Sequence, residues 1–232
     1  MKPPPANDLF GEYYQPDPSS TRDAYRPGAF FRAPIHQVDV QQTFVRLTGI
    51  DPEGKYPPTF QLTKKDRDAY NHQPLNYPNL QLRDDEEFVA VRSKLRPVIL
   101  SSSPLEDWRL VGGNRPEEAF VCLPTYGLDE YDDEFRLALK VSKYASLFYL
   151  PEDDRFARKE AFVRFDRMQV VAKQQLVRLE PHHRLTDDAL YFLQEWSRYY
   201  LTGTPSDWVR QYQAQQMERL SQLQADVEGR TP

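Results

Sequence analysis

Apolar and polar positions follow a period of two through the middle of the chain and a helical period near its end. Glu87-Phe88-Val89-Ala90-Val91-Arg92 alternates as a half-buried strand does. Short apolar segments accompany it: Val98–Leu100, Phe120–Leu123, Ala161–Phe165 and Met168–Ala172. Earlier in the chain, Gly28 leads into a predicted strand at 29–34. A second follows at Gln37–Gln41, and Thr43–Leu47 continues it. Pro97 donates no ladder bond, so it is expected at the first position of its strand, and Pro124 is expected to close the next. Five or more short strands between polar turns predict a small barrel or sandwich. Closure into a barrel removes the exposed edges.

After residue 185 the period changes. Thr186 is placed to cap a helix whose first turn carries Asp187 and Asp188, both favourable at the positive end of the dipole. Ala189, Leu190, Leu193, Trp196 and Tyr200 form one apolar stripe. Gly203 is the expected left-handed stop. Thr204 is then the expected cap of a second helix, with Pro205 as its first residue. Trp208, Tyr212, Leu220, Leu223 and Val227 mark the inner side of that helix. So short a turn predicts a helical hairpin over 186–229. Trp196, Tyr199, Tyr200, Trp208 and Tyr212 read as packing between hairpin and sheet, or as an interface.

Residues 1–27 are rich in Pro, Ser, Asp and Tyr and read as a disordered or extended lead-in. Residues 50–86 carry little periodicity and read as an insertion, either a functional flap or a further layer. The chain has 232 residues, 20 of them proline against 9 glycine, which fits one core carrying long irregular segments. Cys122 is the only cysteine, so no intrachain disulfide forms, and a reducing compartment such as the cytoplasm is expected. No run approaches the roughly 20 apolar residues that span a bilayer. The formal charge of −5, from 30 basic and 35 acidic residues, argues against a duplex DNA binder and is sufficiently explained by solubility.

The histidines, His36, His72, His182 and His183, lack metal-ligand spacing, and His182-His183 reads as a surface connector. Gly112-Gly113-Asn114-Arg115 is a turn without the phosphate-loop pattern. Asp187-Asp188 reads as capping rather than paired catalytic carboxylates. No metal and no cofactor is expected.

One segment carries chemistry. Lys94-Leu95-Arg96-Pro97-Val98-Ile99-Leu100 is a basic turn entering an apolar strand. It is either an ordinary surface pair or a strand mouth that aims the planar five-donor fork of Arg96 at an anion. The segment resembles the second-strand start of the MazF/PemK toxin family, where an Arg-Pro pair precedes an apolar strand. Phe120-Val121-Cys122-Leu123-Pro124-Thr125 resembles the next core strand of that family, and Glu160–Leu176 its late segment. The likeness runs from about Glu87 to Leu185, with 28–34 as a first strand.

The resemblance implies an α+β fold: a small SH3-like antiparallel β-barrel over 28–185, with the insertion at 50–86 and the C-terminal hairpin. It implies a metal-independent endoribonuclease that cuts single-stranded RNA, with an antitoxin protein and a second copy of the chain as partners. The catalytic arginine of the family falls on Arg96. Its Thr or Ser falls on Tyr126, while Thr125 stands one residue away on the opposite face unless the strand is bulged. In such a reaction the arginine stabilises the phosphorane and the hydroxyl binds a non-bridging oxygen. Lys94, Arg164, Arg167, Lys173 and Arg178 are candidates for the RNA track, although residues 151–184 hold 8 basic against 6 acidic side chains, a surplus of only 2. Tyr126 and Phe165 are candidate stacking aromatics, with Phe165 better suited to the core.

The chain departs from the family in the long stretch between Pro34 and Arg96. It also departs in two acidic clusters, residues 129–134 and 152–154, which repel RNA unless they point away. A second reading therefore stands beside the nuclease: a non-catalytic module that binds protein or RNA.

Overall fold

The computed structural model describes residues 12–19, 23–37, 43–49, 57, 59–64, 75–77, 80–82, 89–105 and 118–228. The chain forms two compact units, Met1–Pro34 with Leu95–Pro232, and Ile35–Lys94. In chain order the elements begin with β1 (Tyr14–Pro16), β2 (Phe30–Gln37), β3 (Thr43–Gly49), β4 (Thr59–Lys64), β5 (Leu75–Tyr77), β6 (Leu80–Leu82) and β7 (Val89–Ala90). They continue with β8 (Arg92–Leu100), β9 (Ala119–Gly127), α1 (Asp133–Lys140), β10 (Leu147–Leu150), β11 (Ala161–Arg164), β12 (Gln169–Ala172), β13 (Val177–Arg178) and β14 (His183–Leu185). Two helices follow, α2 (Asp187–Thr202) and α3 (Asp207–Glu228).

The main sheet runs β10-β11-β9-β8-β2-β13, with β12 also paired to β9. One edge of β9 therefore serves two strands. Thr125–Gly127 pair with β11 and Ala119–Cys122 with β12, and the short 3-10 turn Phe165–Arg167 lies between those two partners. The other edge pairs with β8, with Val98 opposite Pro124 and Leu100 opposite Cys122. No sheet among the described residues closes into a barrel, so the expected SH3-like closure reduces to a mixed α+β fold with mostly antiparallel sheets. Both prolines expected to bound strands lie inside them. β8 begins at Arg92, ahead of Pro97, and β9 runs through Pro124 to Gly127. The carbonyl of Pro97 accepts a hydrogen bond from the Thr125 hydroxyl at 3.2 Å, a cross-strand link made by a side chain.

The core lies between this sheet and the helical hairpin. Phe30, Ile99, Leu123, Phe148, Val163 and Phe165 from the sheet side meet Ala189, Phe192, Leu193, Trp196, Val209 and Tyr212. Phe192 is the hub, with ring centroids 5.1 Å from Phe148, 4.5 Å from Trp208 and 4.6 Å from Tyr212. Part of the expected lead-in is integral to this core. β1 pairs with β14, Tyr13 and Tyr14 are buried, and the Tyr14 hydroxyl donates to the Pro151 carbonyl at 2.9 Å. Asp17, also buried, ties this strap down through ion pairs to Arg26 and Arg178.

Helix ends follow local chemistry. The Thr186 hydroxyl accepts from the Ala189 amide at 3.3 Å, and Gly203 closes α2 with φ of 69°. The second cap differs from expectation. Ser206, not Thr204, accepts from the Val209 amide at 3.4 Å, so α3 starts at Asp207, beyond Pro205. The first acidic cluster turns out to be a helix start. Asp132 caps α1, accepting from the Phe135 amide at 2.7 Å, and Asp133 and Glu134 occupy its first turn. The side chains of Leu220, Leu223 and Val227, residues 38–41, 87–88 and 112–115, His72 and most of 50–86 lie outside the described residues.

In the second unit, β3 pairs antiparallel with β4 and with β7, and β5 pairs with β6. Phe44 is buried there, and Phe60 and Leu62 of the edge strand β4 are exposed.

Candidate functional site

Strand register builds the site. Val98 stands opposite Pro124, and continuing that antiparallel register sets Arg96 of β8 opposite Tyr126 of β9. Tyr126 in turn pairs with Phe162 of β11, and Phe162 with Tyr149 of β10. Residues directly opposite one another share a face, so Arg96, Tyr126, Phe162 and Tyr149 form one row across four strands. The guanidinium carbon of Arg96 lies 4.3 Å from the Tyr126 ring centroid. Tyr126 stacks on Phe162 at 5.6 Å with 28° between the planes. Phe162 is buried, and Tyr131 and Phe135 from the α1 region pack edge-on against it at 5.4 and 5.7 Å.

Arg96 differs from its neighbours in what it lacks. Its Nε is buried and has no hydrogen-bond partner. The Nε atoms of Arg26 and Arg158 are likewise orphaned, but every other half-buried arginine among the described residues has a hydrogen-bond or ion-pair partner for its side chain. Arg26 and Arg178 bind Asp17, Arg136 the Leu128 carbonyl, Arg158 His183, Arg164 and Arg167 Asp166, and Arg184 Asp187. Arg96 is held by the aromatic face instead, an attraction worth about 0.5–2 kcal/mol depending on desolvation.

Arg164, two residues after Phe162 and hence on the same face of β11, approaches the Tyr126 ring to 5.7 Å. It is bidentate on Asp166, with contacts of 3.0 and 2.5 Å. That pairing, with Arg167 at 3.7 Å, holds the Asp166 carboxyl below the usual carboxylate range and raises the Arg164 guanidinium above its own. Arg164 and Arg167 against Asp166 leave one net positive charge in that cluster.

Thr125 does not join this row. It faces inward, is 3% exposed, and spends its hydroxyl on Pro97. The β9–β11 register is unbulged at this point, so Tyr126 rather than Thr125 supplies the hydroxyl beside Arg96.

The other track candidates separate. Lys94 is exposed and belongs to the second unit. Lys173 pairs with Glu118 beside Tyr25, in an open cleft of about 460 Å³. That cleft lies at the opposite end of β9 from Tyr126, about 26 Å away along an extended strand. Arg178 is consumed in the strap, donating to the Asp17 and Ser19 carbonyls at 2.9 and 3.1 Å. Phe165 is buried core. Asp166 and Phe162 were not among the sequence candidates, although the run Arg164-Phe165-Asp166-Arg167 carries the charge pair that marks the first of them.

His183, expected at the surface, is buried between the rings of Phe30 and Phe156, with centroids at 4.6 and 5.1 Å. Its Nδ1 lies 2.6 Å from the Pro181 carbonyl, so Nδ1 carries the proton and donates. Its Nε2 accepts from Arg158 at 3.4 Å. Burial pushes the His183 pKa down to about 4, and the nearby Arg158 adds to the shift. Arg158 itself lies over Phe30 at 4.1 Å. The neighbour His182 keeps a surface role, paired with Glu180 at 2.5 Å.

Among the described residues no cluster of three or more His, Cys, Asp or Glu is arranged to hold a metal ion, and no helix is long and apolar enough to cross a membrane. Cys122 is buried and its thiol is pushed up to about 12. Comparison with family models, with curated proteins and with solved structures finds no match to this chain.

Proposed function

We propose that the Arg96–Tyr126 face binds single-stranded RNA. The observation that carries this reading is a half-buried guanidinium with no acceptor among the described residues, beside an aromatic ring and a second arginine. A planar donor fork without a partner is suited to phosphate oxygens, and an aromatic beside it suits a nucleic acid with unpaired bases. The fold proposed to carry the site is a divergent relative of the MazF/PemK barrel, with β8, β9, β11 and β12 as its strands. A homodimer, an antitoxin and a reducing compartment belong to the same proposal.

Cleavage is the second reading, favoured by the guanidinium and the Tyr126 hydroxyl lying on adjacent strands. Metal-independent cleavage uses the RNA 2′-hydroxyl as nucleophile. Arg96 would stabilise the crowded phosphorane and Tyr126 would donate to a non-bridging oxygen. The reaction also needs a base. Asp166, the carboxylate paired with the neighbouring Arg164, is held ionised by two arginines and is a weak base for that reason. Binding with slow or absent cleavage is the outcome this geometry favours.

The test is fluorescence anisotropy with a labelled 12-mer RNA at two salt concentrations, together with a cleavage gel in a chelator. Arg96→Ala is expected to weaken binding about tenfold or more, as loss of a charged hydrogen bond does, and to flatten the salt dependence by about 0.7 in slope. Wild-type affinity and slope in Arg96→Ala would end the RNA reading. Chelator-resistant cutting that Arg96→Ala abolishes would establish the nuclease over the binding module.

A further inference from the structure

We propose that this site selects unpaired RNA by stacking a nucleobase on the outer face of the Arg96 guanidinium, with Tyr126 and Phe162 as the column behind it. The inference rests on the RNA-binding reading and names the part of the RNA that is read. Three observations carry it.

The column is fixed. Phe162 is 2% exposed and is braced edge-on by Tyr131 and Phe135. Tyr126 stacks on Phe162, and the guanidinium of Arg96 lies over Tyr126 at 4.3 Å. Arg96 thus ends a stack that begins in the core, and its planar group extends the aromatic surface toward solvent. Guanidinium planes and aromatic faces are the surfaces on which splayed bases of single strands lie.

The donors of Arg96 are divided. Nε is buried and unpartnered while the residue as a whole is half-buried, which assigns anion binding to the Nη edge of the fork. An anion therefore engages the Nη edge and leaves the flat face for a base. One arginine then takes a base and a neighbouring phosphate, a pairing that a duplex does not offer because its base faces are covered by adjacent pairs.

The surroundings carry both signs of charge. Arg164 lies 5.7 Å from the Tyr126 ring, with Arg167 behind it on the shared Asp166. Asp129, Glu130, Asp133 and Glu134, adjacent in sequence to Tyr131, are exposed. Phosphates beyond the stacked nucleotide are drawn toward Arg164 and repelled by the acidic residues.

The full chain is titrated with three labelled probes of equal length: an oligoadenylate 12-mer, the same sugar-phosphate chain with abasic riboses, and the 12-mer annealed to its complement. The abasic and duplex probes are expected to bind about tenfold more weakly than the oligoadenylate. In Arg96→Lys, where an ammonium replaces the flat group, the ratio of oligoadenylate to abasic affinity is expected to fall toward one while the salt slope is retained. Tyr126→Leu is expected to give the same collapse of the ratio. Arg96→Lys, at a half-buried position, serves if the tyrosine variant fails to fold. Equal binding of abasic and oligoadenylate probes by the wild-type chain refutes base stacking and leaves the RNA reading standing. No binding of any probe refutes both.

Discussion

Acidification from pH 7 to pH 4.5 is expected to cost this protein about 2 kcal/mol of folding stability through one side chain, His183. In the unfolded chain a histidine takes up its proton near pH 6.5. In the folded protein His183 is buried between Phe30 and Phe156, its Nε2 already accepts from Arg158, and its pKa is pushed down to about 4. Between those values the unfolded chain binds more protons than the native one. Stability is therefore complete above pH 6.5 and declines as the pH falls toward 4, at up to 1.36 kcal/mol per pH unit. Integrated from pH 7 to 4.5, the loss is about 2 kcal/mol. Asp17 and Asp153, whose carboxyls are held below the ordinary range, add acid sensitivity below that window, so stopping at pH 4.5 isolates the histidine. The measurement is urea unfolding followed by tryptophan fluorescence at both pH values, with Trp196 as a buried reporter. His183→Phe keeps a flat ring in the stack and takes no proton. Its baseline stability drops because Arg158 loses an acceptor, but the difference between the two pH values should shrink to a few tenths of a kcal/mol, the level of ordinary surface titrations. An equal acid loss in His183→Phe, or a ring titration by NMR near pH 6.5 in the wild type, would refute the buried neutral histidine.

Thr125→Val removes the hydroxyl that donates to Pro97; it should cost about 1–2 kcal/mol in chemical unfolding and leave RNA affinity unchanged, whereas a fall in affinity would return Thr125 to the site. Asp166→Asn releases Arg164 and Arg167; RNA should bind several-fold more tightly with a steeper salt slope, and unchanged or weaker binding would detach Arg164 from the RNA path. Phe192→Ala empties the hub between hairpin and sheet; a loss of about 3–5 kcal/mol is expected in unfolding, and a loss under about 1 kcal/mol would mean that the hairpin packs more loosely than these ring contacts imply.

The strands were legible where apolar runs are short and dense. Val98–Leu100, Phe120–Leu123, Ala161–Phe165 and Met168–Ala172 all fall within or against observed strands and 3-10 turns. Their ends were not, because Pro97 and Pro124 suggested boundaries while the backbone runs through both. α1 escaped notice because its apolar stripe is only Phe135, Ala138 and Leu139, and its capping acids looked like a charge cluster. Arg96 and Tyr126 were each marked by residue type, but their meeting depends on the register of β8 against β9, which no local pattern encodes. The same holds for Thr125, whose face follows from that register, and for Arg178 and Lys173, whose acceptors Asp17 and Glu118 lie far away in sequence. His183 was misplaced because adjacent polar residues beside a proline resemble a connector, whereas a three-residue strand against β1 buries one of the two.

The strap formed by β1 has a temporal consequence. Gln15 and Leu185, joined by a hydrogen bond, stand 170 residues apart. On a ribosome adding about 5–20 residues per second, the first of these waits on the order of 10–30 s for the second. Throughout that interval Tyr13 and Tyr14 have no β14 to cover, and the half-made sheet has no strap. Nascent chains of this protein thus pass through a period of exposed aromatic surface in which a holdase, or a neighbouring polysome product, competes with the native closure.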